Sequence, residues 1–198
     1  MAEPLVGGDQ HGRLRVGVLA SQGDFAAHAS MLEDLGAAAI EVRTPEALTD
    51  LDALVIPGGE SSTFLNFLER DNFWEKLRAF VRSKPAFGTC AGAILLASEV
   101  ENPVQQCLGA LDISVQRNAY GRQLQSAIHQ VETSLGGDPL ELVFIRAPRI
   151  TRVGPGVEIL ASCNGDPVWV RQGQLMAVTF HPELSADRRV HAEFLRCL

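Results

Sequence analysis

The sequence predicts an α/β protein with a mainly parallel sheet flanked by helices and an antiparallel portion in the C-terminal half. Two observations carry this. In the first half, short and almost wholly apolar runs alternate with helical patterns, the rhythm of parallel strands covered on both faces by crossover helices. In the second half, strand-like runs follow one another with turn dipeptides and little helix between them.

The elements can be justified in order. Residues 14–20 (LRVGVLA) are a first buried strand. Asp24 is placed to cap the following helix, where Phe25, His28, Ala29, Leu32 and Gly36 recur at helical spacing. Residues 38–42 and 51–56 are the next two strands, the latter stopped by Pro57-Gly58-Gly59. Helical patterns occupy 62–68 and then Phe73, Leu77, Phe80 and Val81. Pro85-Ala86-Phe87 is a short strand turning directly into a helical run over 91–99. Strands are expected at 108–116, 142–145, 158–162, 168–171 and 175–180, with turns at Asn164-Gly165-Asp166-Pro167 and Gln172-Gly173. Residues 186–198 return to helix, with Val190, Phe194 and Leu198 on one face. Gly136-Gly137-Asp138-Pro139 is too short a loop to separate domains. We therefore expect residues 1–13 to be a flexible extension and 14–198 a single domain.

Composition narrows the function classes. The 46% hydrophobic and 21% charged content of the 198 residues is globular, which excludes a wholly disordered or fibrous chain. A net charge of −7 offers no basic footprint to a phosphate backbone, so nucleic acid is not an expected partner. No apolar run is long enough to span a membrane. Cys90, Cys107, Cys163 and Cys197 are far apart, form no C-x-x-C pair and follow no secretory leader. The expectation is a reduced, cytoplasmic protein without a metal site.

Within such a protein Phe87-Gly88-Thr89-Cys90-Ala91-Gly92 is the most informative stretch. A residue on a sharp strand-to-helix turn needs small neighbours two before and two after it, because the backbone passes close to itself there. Gly88 and Gly92 meet that demand, which makes Cys90 a nucleophile, and the helix beginning at Ala91 favours its thiolate. Of five histidines, His11, His28, His129 and His191 have unremarkable settings. His181 follows the apolar run Met176-Ala177-Val178-Thr179-Phe180, at the strand end where open α/β sheets gather their ligand sites. Glu183, two residues on, can orient it, so Cys90, His181 and Glu183 read as nucleophile, base and orienter. Acyl transfer also needs oxyanion donors. The Ala91 N–H and the glycine turn Pro57-Gly58-Gly59-Glu60-Ser61 are candidates, and that turn lacks the Lys-Ser/Thr ending of a phosphate loop.

These motifs resemble the class I glutamine amidotransferases. Arg117-Asn118-Ala119-Tyr120-Gly121-Arg122-Gln123 and Phe144-Ile145-Arg146-Ala147-Pro148 narrow the resemblance to the glutaminase subunits of pyridoxal 5′-phosphate synthase. It runs from about Leu14 to the C-terminus, with all five motifs in the family's order. The resemblance implies a flavodoxin-like three-layer fold. It also implies hydrolysis of L-glutamine to glutamate and ammonia by Cys90, His181 and Glu183, with no cofactor. The resemblance places the glutamine contacts on Gly58, Gly59, Glu60, Arg117, Ile145 and Arg146. An arginine fork also suits the substrate carboxylate on charge grounds. The implied partner is a separate (β/α)₈ synthase subunit, in a large hetero-oligomer, that activates the glutaminase and uses its ammonia. Gln22 matches a family glutamine linked to the oxyanion site and to the synthase, while Ser21 stands where the family commonly has leucine. Residues 125–139 match poorly. A glutaminase serving another acceptor, such as an imidazole glycerol phosphate or aminodeoxychorismate system, is the same-class alternative. A non-catalytic binding module of the same fold is the alternative from another class.

Overall fold

A computed structural model of the chain describes residues 12–117 and 126–198. Most of the expected N-terminal extension and residues 118–123 of the arginine motif lie outside that range. The main sheet has seven strands, in the order β10-β11-β12-β4-β3-β1-β2. Its parallel part comprises β1 (Arg15–Leu19), β2 (Ala38–Val42), β3 (Ala53–Ile56), β4 (Ala86–Thr89) and β12 (Leu175–Val178). The expected antiparallel portion is β10 (Glu158–Cys163) and β11 (Asp166–Gln172), joined to β12 by two hairpins.

Strand periodicity explains the layering. Along β3, Ala53 and Val55 enter one core while Leu54 and Ile56 enter the other, because successive side chains leave a strand on opposite faces. One core joins the sheet to α1 (Phe25–Asp34) and α5 (Arg189–Arg196) through Leu32, Val190 and Phe194. The other joins it to α2 (Ser61–Leu68), α3 (Phe73–Ser83) and α4 (Ala91–Leu96) through Phe64, Leu68, Leu77 and Leu95. Two smaller sheets flank these layers: β5 (Ala97–Glu101), β6 (Leu111–Gln116) and β9 (Arg149–Val153), and the pair β7 (Ser126–Val131) and β8 (Leu140–Ile145).

Several boundaries differ from the sequence expectation. The helical run expected over 91–99 stops at Leu96, because Ala97 to Glu101 pair in parallel with Leu111 to Gln116 and that pairing overrides helix propensity. Residues 108–110, expected as strand, instead donate their N–H groups to the carbonyls of Leu95, Leu96 and Ala97 at 2.7–3.1 Å, satisfying the open end of α4. Asp24 caps α1 through its backbone carbonyl, which accepts from Ala27 and His28, and its carboxylate makes no cap bond. The final helix is Arg189–Arg196, so Leu198 lies beyond it and is exposed. Strands β7 and β9 were not expected, since their apolar content is too low to stand out before a partner strand is known.

Leu54 is fully buried in the central strand β3. Leu54→Ala should lower stability by about 2–5 kcal/mol, or roughly 4–20 °C in Tm, in a urea or thermal melt.

Candidate active site

The tight turn between β4 and α4 creates the site. A Cβ on Gly92 would lie 1.9 Å from the Ile56 carbonyl oxygen of β3, and one on Gly88 would lie 2.5 Å from the Gly92 carbonyl. Both glycines are therefore steric requirements, as their spacing predicted. Between them Cys90 sits at φ 48°, ψ −102°, a conformation that costs an L-residue energy and recurs at strained functional turns. Its N–H donates to the Val178 carbonyl at 2.9 Å, tying the turn to β12. Cys90 is buried, with a relative exposure of 7%.

The second component comes from the end of β12. The His181 N–H donates to the Val143 carbonyl of β8 at 2.8 Å, and His181 Nδ1 lies 2.8 Å from Glu183 Oε1. Glu183 stands on the single 3₁₀ turn Pro182–Leu184 that follows. With Nδ1 engaged by the carboxylate, the other ring nitrogen is left for Cys90, which shares the wall around Gly58 with His181. Burial alone would lower the His181 pKa, but the hydrogen bonds and charges of Cys90 and Glu183 outweigh it and raise it to about 10. Burial likewise opposes ionisation of Glu183, yet His181 and His28 hold its carboxyl well below the usual carboxylate range. The arrangement thus favours an imidazolium next to a fixed carboxylate.

Gly59, Glu60, Cys90, Arg117, Ile145, Arg146 and His181 line one cleft of about 160 Å³, together with Ser61, Ile94 and Pro148. Gly58 lies behind it, where a Cβ would meet His181 Cε1 at 2.6 Å and Cys90 Cβ at 3.4 Å. Within the cleft Arg117 faces Glu60 at 3.6 Å. Arg146 adopts a positive φ of 45°. Ala91 is buried at the start of α4. Gln22 is not a lining residue. Its Nε2 donates to the Glu60 carbonyl, and its side chain occupies the space where a Cβ on Gly59 would lie, so it braces the glycine turn from behind. Neighbouring Ser21 has a buried hydroxyl with no hydrogen-bond partner among the described residues. A second cavity is lined by His129, Phe144, Cys163, Asp166 and Val168, and burial pushes the Cys163 thiol up. Among the described residues no group of three or more His, Cys, Asp or Glu side chains could hold a metal ion, and no helix is long and apolar enough to cross a membrane.

The sequence profile described as the SNO glutamine amidotransferase family matches residues 18–198. The chain belongs to this family. Its relatives include the protein named pyridoxal 5′-phosphate synthase subunit PdxT of Koribacter versatilis, 61% identical over 183 residues, covering 92% of this chain and 95% of that one. The Thermotoga maritima protein of the same name is 47% identical over 184 residues, covering 92% and 98%. A crystal structure of a glutamine amidotransferase shares 46% identity and superposes with a TM-score of 0.86, covering 92% of this chain and 97% of that one. A Thermotoga maritima glutamine amidotransferase, at 16% identity and a TM-score of 0.63, covers 94% and 84% and shares the fold.

In this SNO-family chain the site extends beyond the residues singled out from sequence. His28 and His191, read from sequence as ordinary helix histidines, are fully buried. His28 Nε2 lies 3.2 Å from Glu183 Oε2 and 3.3 Å from Thr89 Oγ1, and His28 Nδ1 lies 2.8 Å from His191 Nε2. The only sequence signal was their position on the buried stripes of α1 and α5, which any core residue would share. Burial first, then the facing His28, lowers the His191 pKa to about 3, against an opposing pull from Glu183.

These shifts fix the sign of the pH dependence. His191 and Glu183 have lowered folded pKa values, so their contributions to stability are complete above their ordinary values of 6.5 and 4.5 and are lost as the pH falls below them. His181 is raised, so its contribution is complete below 6.5 and is lost as the pH rises towards about 10. Urea melts should therefore show stability declining on both sides of neutrality. Gly92→Ala should cost about 3 kcal/mol or more, read as a loss of Tm and of thiol-dependent activity together, because backbone would have to move.

Proposed function

We propose that this chain hydrolyses L-glutamine with a Cys90-His181-Glu183 triad and delivers the ammonia to a separate pyridoxal 5′-phosphate synthase subunit. The observation that carries the reading is the convergence of a strained cysteine elbow and a carboxylate-held histidine on one cleft lined by Glu60, Arg117 and Arg146. The name of the relatives, pyridoxal 5′-phosphate synthase subunit PdxT, supports the synthase over another acceptor. Residues 14–198 are read as one glutaminase domain, in keeping with the profile match over 18–198.

The Cys90 thiolate adds to the side-chain amide carbon of glutamine, and the negative charge moves to the carbonyl oxygen. The N–H groups of Gly59 and Ala91 are the donors proposed for that oxygen. His181 passes its proton to the amide nitrogen, the C–N bond breaks, and ammonia leaves a glutamyl thioester on Cys90. His181, now neutral, takes a proton from water as the water attacks the thioester, and returns it to the departing sulfur as glutamate is released. Glu183 keeps Nδ1 protonated and the ring aimed at the sulfur throughout. The main-chain ends of the substrate suit the charges of the cleft, with the ammonium towards Glu60 and the carboxylate towards Arg117 and Arg146. Ile145 contributes an apolar wall, and Gly58 allows His181 to approach.

The partner would be a (β/α)₈ subunit that builds the cofactor from a pentose phosphate and a triose phosphate, assembled with this chain into a large cytoplasmic hetero-oligomer. Gln22 is the residue through which we expect docking to reach the oxyanion site, since it holds the Glu60 carbonyl and packs on Gly59.

The test is glutamate release with and without the cognate synthase subunit. Activity should rise on adding the partner and fall by roughly 10⁴-fold or more in Cys90→Ala. A Cys90→Ala protein as active as the parent would remove the triad, and an unchanged rate on adding the synthase would remove the partnership. Arg117→Ala should raise KM for glutamine about tenfold or more with a smaller effect on kcat, the loss of one charge-assisted hydrogen bond.

A further inference from the structure

Glu183 has two oxygens, and the scheme above uses one. Oε1 accepts from His181. Oε2 is buried and makes no aligned hydrogen bond among the described residues, and His28 Nε2 lies 3.2 Å from it. A buried carboxylate oxygen left without a donor is costly and is free to rotate towards any other partner. His28 is itself held from behind by His191 Nε2 at 2.8 Å, while Thr89, the residue before the nucleophile, lies 3.3 Å from His28 Nε2. His191 Nδ1 is buried without a hydrogen-bond partner among the described residues.

The protons on these two rings can be assigned by elimination. If His28 carries its hydrogen on Nε2, it offers a donor to Glu183, its Nδ1 must accept, and the donor is His191 Nε2–H. His191 Nδ1 is then a bare lone pair, the least costly group to leave unpaired. The opposite tautomers turn a lone pair of His28 onto the carboxylate and strand a buried N–H on His191. A doubly protonated His28 strands the same N–H. Two neutral rings, each with its hydrogen on Nε2, are the assignment that leaves no buried ring N–H of this pair unmet.

We propose that His28 is a positioning residue for the glutaminase, its Nε2–H holding Glu183 Oε2 while His191 Nε2–H holds the His28 tautomer. The inference rests on the Cys90-His181-Glu183 reading and extends the triad through α1 to α5. The titratable groups facing His28 are Glu183 from the 3₁₀ turn and His191 from α5, while Phe87 and Thr89 of β4 face it without charge. Towards Glu183 the titratable groups are His181 and His28. Without the His28 donor the carboxylate is free to turn away from His181 Nδ1, the hydrogen bond that favours the imidazolium weakens, and His181 then gives up its proton at lower pH.

Two measurements test this. In the ¹⁵N spectrum of the intact wild-type chain near neutral pH, the imidazoles of His28 and His191 should both be neutral Nε2–H tautomers. An Nδ1–H tautomer at either ring, or a charged His28, would overturn the proposal without any reference to turnover. In the complex with the synthase subunit, His28→Leu should lower kcat about 10–100-fold, leave KM for glutamine within about threefold, and move the alkaline limb of the pH profile to lower pH. His28→Gln, which keeps a donor at similar reach, should recover kcat to within about fivefold of wild type and restore the limb. An unchanged kcat and limb in His28→Leu, or a His28→Gln protein as impaired as His28→Leu, would reduce His28 to packing and overturn the role. Should His28→Leu not fold, His28→Gln and the tautomer spectrum decide. Failure of the triad itself is read separately, from Cys90→Ala.

Discussion

The close approach of the Gly88–Gly92 turn to β3 is the constraint on which the rest of the site depends. With the Gly92 α-carbon against the Ile56 carbonyl, helix α4 must leave β4 at once, and the residue at the corner is forced into a backbone conformation that few side chains tolerate. The strain is held by ordinary structure. β4 is paired on both edges, by β3 and β12, and α4 is buried along its whole length. The same pairing brings the end of β12 beside the corner, so His181 reaches Cys90 through sheet register.

A second theme is the placement of charge. The cleft leaves the Glu60 side chain half-exposed, whereas the Glu183 carboxylate against His181 is almost wholly buried. Glu183 remains ionised in that setting because His181 from the strand end and His28 from α1 meet it, while His191 of α5 holds His28 from behind. The ring contacts of Phe87 with His28 and His191, and of Phe87 with Phe194, make the apolar core the scaffold for a polar chain. Such a buried network is stabilising only when its donors and acceptors match, which ties the tautomer of one histidine on α5 to the carboxylate beside His181.

Much of this was legible in the sequence. The strand-helix alternation and the hairpin dipeptides are local signals, and the parallel and antiparallel parts of the sheet follow from them. Cys90 announced itself by its glycines, and His181 with Glu183 by its place after an apolar run. What stayed hidden has a common cause. β7 and β9 carry few apolar residues and become strands through partners distant in sequence. His28 and His191 are 163 positions apart, and nothing in either helix alone distinguishes a histidine that meets a carboxylate from one that fills a core.

The sequence by itself determined the order of layers, the family and the cysteine at the tight turn, because these rest on short-range spacing: the period of a strand, the size of a neighbour two residues away, a motif read in one piece. Tertiary structure alone decided that Gln22 braces the glycine turn, that Arg117 faces Glu60, and that two helix histidines stand behind Glu183. Those relations depend on distances set when strands β1, β3, β4 and β12 align, and a hydrogen bond acts only within about 3 Å, a reach that sequence separation does not encode.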